Sequence, residues 1–190
     1  IVFAENFHGR TISIVSFSTD PDGYGDYGPF TPGFKVVPYD DVAAVEKAVT
    51  PNTVGILVEP IQGEAGVVVP HDGFLKGLET IARKNNVLLA IDEVQTGFGR
   101  TGKRFCFQHE GITPDIIIMG KALGGGVFPV SAVAANTDVL GVFAPGTHGS
   151  TFGGNPLACS VAMAALDVLT EENLADKAAD VGAYFRQQLD

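Results

Sequence analysis

Basic residues are scarce. Lys and Arg total 12 against 22 Asp and Glu, a formal net charge of -10 over 190 residues, so no basic face is on offer to a nucleic acid or an anionic membrane, and neither partner is expected. Cysteine is nearly missing. Cys106 and Cys159 have no paired spacing, which argues against a disulfide framework and favours a reducing compartment, the cytoplasm or, in a eukaryotic source, the mitochondrial matrix. No apolar run approaches membrane-spanning length. His8, His71, His109 and His148 lack metal-ligand spacing, so no metal is assigned. No internal repeat or low-complexity tract is present, and no signal-peptide pattern opens the chain. What is there is 45% apolar with a positive mean hydropathy, enough to fill a core, and residues 1–190 are read as one domain.

Apolar β-branched runs punctuate the chain at intervals. Ile1 to Ala4, Phe34 to Tyr39, Val54 to Val58, Val87 to Ile91, Ile116 to Met119 and Pro129 to Ala135 read as strands. The runs ending at Ile91 and Met119 have the composition of strands buried on both faces. Between them, Asp40 or Asp41 caps a helix with Val42, Val45, Ala48 and Val49 on one face, and Phe74 to Lys84 forms a second helix. Phe105 to Glu110 is helical or irregular, and Thr11 to Ser18 is ambiguous between helix and strand. Asp20 to Gly33, dense in Gly, Pro and Tyr, is an ordered surface loop. Asn155 and Pro156 are N-cap and first residue of an Ala-rich helix to Leu169, with another helix from Glu171 to the end. Strand and helix alternating in this way predict an α/β fold with a largely parallel sheet.

Three of the apolar runs end on charges, Glu59, Asp92 and Lys121. In open α/β sheets ligands bind at the carboxyl ends of strands. A salt bridge between Asp92 and Lys121 is one reading of two of these charges. A lysine in a dry cleft is another, because a disfavoured charge frees the amine to attack a carbonyl. An aldehyde cofactor held by such a lysine would be pyridoxal 5'-phosphate (PLP). Asp92 would keep its ring nitrogen protonated, Val94 would form an apolar shelf, and the Gln95 amide could bond the ring hydroxyl. Ser150 and Thr151 offer hydroxyls near a helix start to a phosphate, or simply belong to an N-cap loop.

Five segments then bring a family into view. Phe7 to Thr11 (FHGRT), Glu59 to Glu64 (EPIQGE), Asp92 to Gly102 (DEVQTGFGRTG), Gly120 to Gly126 (GKALGGG) and Gly149 to Pro156 (GSTFGGNP) together resemble a class III (ω-amino-acid) aminotransferase of fold type I. Within that family, Val58 to Pro70 is most similar to the members that act on ornithine. The resemblance implies a PLP-binding large domain, a mostly parallel sheet with helices on both faces, and a homodimer. Lys121 and Asp92 would be catalytic. Phe7 and Val94 would sandwich the cofactor ring, Gln95 would meet its phenolic oxygen, and Thr151, with Ser150, would reach the phosphate of the partner subunit's cofactor. Arg10, Glu59 and Glu64 would face the amino-acid and 2-oxo-acid substrates, Arg10 through a carboxylate. The implied reaction passes the δ-amino group of ornithine to 2-oxoglutarate; acetylornithine or another ω-amine would use nearly the same motifs.

Two rival readings are a nicotinamide enzyme and a folded unit whose charges are only structural. Gly97 to Gly102 matches G-x-G-x-x-G, but its first glycine comes five residues after Asp92 and no amphipathic helix begins there. A P-loop is excluded, because Lys121 is followed by Ala122. Ile1 to Ala4 reads as a strand already under way, and the final helix has no cap and leads toward a further, smaller domain, so a longer parent is expected. By the same comparison the family's phosphate-binding Gly/Ser turn would lie upstream, and the isolated piece would bind PLP weakly and be inactive.

Overall fold

In a computed structural model, residues 1–189 are described and form two compact units, Ile1–Asp92 with Glu110–Pro114, and Glu93–His109 with the chain from Asp115 onward. Both units combine short strands with helices. The class is α/β.

In the first unit β1 (Val2–Phe3) pairs in parallel with β2 (Val36–Val37), and β3 (Gly55–Val58) in parallel with β4 (Leu88–Asp92). Ile1 joins the two pairs, since its carbonyl accepts from Leu57 at 3.0 Å and its amine donates to the Gly55 carbonyl at 2.8 Å. The expected strand Phe34–Tyr39 shrinks to two residues, and the Thr11–Ser18 ambiguity resolves as a one-turn helix, α1 (Ile12–Val15). A second single turn, α2 (Pro21–Tyr24), sits inside the loop expected at Asp20 to Gly33. Four residues are too few to show a helical period.

α3 (Val42–Ala48) starts as its capping residue dictates, Asp41 accepting from the Ala44 N–H at 2.8 Å. α4 (Phe74–Asn85) buries Phe74, Leu75, Leu78, Ile81 and Ala82, the spacing of one helical face. Its N-cap is Gly73, which offers no side chain, and the Glu110 carboxylate supplies the acceptor instead, taking the Leu75 and Lys76 N–H groups at 3.3 and 2.8 Å. Glu79 and Arg83 bind the backbone of Thr113 as well. These bonds are why Glu110–Pro114 belongs with the first unit. The core here is Phe3, Val45, Ile56, Val58, Leu78, Leu89 and Ile91, each contributing about 1.5–3 kcal/mol of apolar burial. Phe3, Tyr39 and Phe74 meet edge-to-face at 5.1 to 5.8 Å between ring centres.

In the second unit β5 (Ile116–Met119) pairs with β6 (Ala132–Ala135) antiparallel. β5 is half-buried along its length, where full burial was expected, and β6 is mostly exposed. A 3-10 turn covers Cys106–Glu110, and α5 (Thr137–Leu140) is a further short helix that the sequence pattern did not show. α6 (Pro156–Glu171) begins as read, with Asn155 accepting from the Ala158 N–H at 2.9 Å. α7 (Leu174–Leu189) follows. Glu93, fully buried, anchors the polypeptide after β4: its carboxylate takes the Thr96 hydroxyl at 2.5 Å and the Phe107 N–H at 2.9 Å. Among the described residues no helix is long and apolar enough to cross a membrane.

Candidate active site

Two loops of the first unit carry Arg10, Glu59 and Glu64. The loop after β1 holds Phe7, His8 and Arg10; the loop after β3 holds Glu59, Gln62 and Glu64. Side chains tie each loop to the other. Gln62 Nε2 donates to the Ala4 carbonyl at 2.7 Å, and Glu59 Oε1 accepts the Phe7 N–H at 2.9 Å. Asn6 closes its own loop by donating to the Phe3 and Phe17 carbonyls at 2.6 and 3.2 Å. From Tyr39, the hydroxyl donates to the carbonyls of Glu59 and Pro60 at 2.9 and 3.0 Å. Between the loops lies a cleft of about 360 Å³ lined by Phe7, His8, Arg10, Asp20 and Glu64 among others. Both arginine and glutamate therefore face one cavity. The Arg10 guanidinium rests over the Phe7 ring, 5.2 Å from its centre, a cation–π contact that holds the cation without neutralising it. Phe7 itself keeps 38% of its surface exposed.

Asp92, 7% exposed at the end of β4, takes a hydrogen bond from His8 Nδ1 at 2.7 Å. The His8 side chain is buried. In the sequence His8 stands in the Phe7 to Thr11 segment with no role of its own; its place beside Phe7 and Arg10, after a strand end, was the available signal.

Glu59 is equally buried, at 7%. Burial is the main force on its carboxyl and pushes it above the ordinary 4.5; the Phe7 N–H, the His8 charge and the Gly63 N–H pull it down, and Asp92 pushes it up. Because the folded-state value is the higher one, folding takes up a proton between 4.5 and that value. The stability due to Glu59 is therefore fully present below about pH 4.5 and lost as pH rises through the raised value. Urea titrations at pH 4.5 and pH 7 are expected to show wild type losing stability relative to Glu59→Gln over that interval; a relative gain would contradict the assignment.

In the second unit Lys121 follows β5 and donates from Nζ to Gln95 Oε1. Its side chain is exposed, which corrects the expectation of a dry cleft around the amine. The backbone there is unusual, with φ of +42° at a non-glycine residue, a conformation that costs about 1–3 kcal/mol and clusters at functional sites. Val94 packs over Gly120, where an added Cβ would lie 3.3 Å from Val94 Cγ1. A lysine amine, an amide oxygen and an apolar surface thus occur together. Ser150 and Thr151 are exposed; Ser150 Oγ accepts the Gly153 N–H at 3.1 Å, one polypeptide turn before the Asn155 cap. Gly97 to Gly102 has no helix behind it. Gly99 and Gly102 adopt φ of +88° and +86° and lie where a Cβ would meet Leu169 and Ala179 at 3.1 and 3.0 Å, so packing against α6 and α7 accounts for these two glycines. Among the described residues no group of three or more His, Cys, Asp or Glu could hold a metal ion.

The sequence profile of the family described as aminotransferase class III matches residues 1–190. The chain belongs to that family. Members and neighbours of this class III aminotransferase include an ornithine aminotransferase of Brevibacillus brevis, 57% identical over 189 residues, 100% of this chain and 47% of the relative. A solved ornithine aminotransferase of Toxoplasma gondii, described with partial occupancy of PLP at its active site, superposes with a TM-score of 0.97 at 53% identity, covering 99% of this chain and 44% of that one. The structure of an acetylornithine aminotransferase from Elizabethkingia anophelis gives a TM-score of 0.84 at 55% identity over 99% of this chain and 46% of that one. The class III chain spans about half the length of the curated relatives it matches.

Proposed function

We propose that this chain is the PLP-binding part of a transaminase that moves the δ-amino group of ornithine to 2-oxoglutarate. The observation that carries the reading is Lys121: an exposed amine at a strand end, on strained backbone, held by Gln95.

The residues suit the parts of PLP. Lys121 supplies the amine that holds the aldehyde, and Asp92, oriented by His8, supplies the anion for a protonated ring nitrogen. Val94 and Phe7 provide apolar faces, Gln95 an amide for the phenolic oxygen, and Thr151 with Ser150 hydroxyls for the phosphate of the partner subunit's cofactor, so a homodimer goes with the assignment. The bound cofactor supplies an electron sink for a carbanion at the substrate carbon. With the cofactor bound, Lys121 Nζ would be the base that moves the proton at the substrate carbon. Arg10 holds the substrate carboxylate, and Glu64, in the same cleft, faces the cationic end of a diamine. Glu59 lies behind them, its carboxylate bonded to the loop backbones at Phe7 and Gly63. A reducing compartment, cytoplasm or mitochondrial matrix, goes with a chain that has only two cysteines, Cys106 and Cys159.

Acetylornithine is the second substrate to test, because a structure so named is 55% identical. Steady-state assays of the full-length protein with ornithine, acetylornithine and 4-aminobutyrate decide between them, ornithine being expected to give the highest kcat/KM. Arg10→Ala should raise KM for the amino donor about 10- to 100-fold, the equivalent of one charge-assisted hydrogen bond. An unchanged KM would remove Arg10 from the substrate.

A further inference from the structure

The Glu59 carboxylate touches two backbones at once. Oε1 accepts the Phe7 N–H at 2.9 Å and Oε2 accepts the Gly63 N–H at a longer 3.4 Å. Phe7 lies three residues before Arg10, and Gly63 lies immediately before Glu64. One buried side chain therefore bonds to the loop that carries the cation of the cleft and to the loop that carries its anion. Its own backbone is fixed, since the Tyr39 hydroxyl holds the Glu59 carbonyl and Val58 pairs with Ile91 in the sheet. The brace is rigid at its root. On the far side of Phe7, His8 spends its Nδ1 proton on Asp92, so the loop is pinned by two acids through adjacent residues. Arg10 and Glu64 themselves are exposed, Arg10 resting on the Phe7 ring; their separation is inherited from the backbones that Glu59 ties.

We propose that Glu59 is a positioning residue that sets the spacing of Arg10 and Glu64, and so the length of substrate the cleft accepts, without touching the substrate itself. The inference rests on the transaminase reading above for its substrate, but the brace exists independently of it.

Glu59→Gln in the full-length protein is the test, because it keeps the shape while leaving a single oxygen for two N–H groups. Two readouts are expected to move: KM for the amino donor rises about tenfold with kcat within about twofold of wild type, and hydrogen exchange at Phe7 or Gly63 accelerates about tenfold. Glu59→Asp, which retains the charge but is one methylene short, should resemble the glutamine variant in KM. A faster exchange with unchanged KM would overturn positioning, leaving only a structural contact. A fall in kcat at constant KM would overturn it in the other direction, placing Glu59 at the reacting atoms. If wild type turns over no amino donor, the transaminase reading fails on its own, and unaltered exchange in Glu59→Gln would still refute the brace.

Discussion

Lys121→Ala is expected to lower transaminase turnover of the full-length protein by at least about 10⁴-fold, because one amine both holds the cofactor aldehyde and moves the proton. Stability should hardly change. The side chain is exposed and its amine is hydrogen-bonded to Gln95, and surface substitutions of this kind usually fall within about 0.5 kcal/mol. Absorbance supplies the second readout: wild type incubated with PLP should show a near-visible band that borohydride fixes to the protein, and the variant should show none fixed. A structural lysine would give the reverse, a shifted melting temperature with turnover and labelling intact. That outcome would return the charge at the end of β5 to the role of a surface ion.

Asp92→Ala should be the next most damaging change, and it should act twice. Turnover is expected to drop about 10²- to 10³-fold, the usual cost of removing one preorganised electrostatic contact from an active site. Folding should suffer as well. The His8 and Asp92 side chains are buried, at 2% and 8% exposed, and hydrogen-bonded to each other, and leaving a buried donor without its acceptor costs about 1–3 kcal/mol. Asp92→Asn separates the two effects: the amide oxygen can still accept from His8, so most stability should return, while the lost negative charge keeps turnover low. Chemical denaturation and steady-state kinetics on the same preparations measure both. If the asparagine variant recovered turnover along with stability, Asp92 would be a structural acid and the protonated-ring role would fall.

Local pattern carried much of this molecule. Asp41 and Asn155 each precede an apolar periodic run, and each accepts the N–H three residues on, because capping depends on a handful of adjacent residues. The helix from Phe74 and the strands ending at Asp92 and Met119 were legible for the same reason. Short elements were not: β2 has two residues and α1, α2 and α5 four each, below the length at which any period can be counted. The burial of β5 was overestimated, since an Ile-rich run reports its appetite for burial and not what its neighbours cover.

For the site, residue identity and order in the sequence were sufficient to single out Glu59, Asp92 and Lys121, since a charge that closes an apolar strand is visible without coordinates. What those charges touch was not visible. That His8 reaches Asp92 across 84 positions, and that Glu59 binds Phe7 across 52, depends on strands distant in sequence lying side by side. Sequence by itself determined the α/β class, the family and the chemical inventory; tertiary structure alone decided which acid orients which loop, because a hydrogen bond is a distance of about 3 Å and sequence separation says nothing about it.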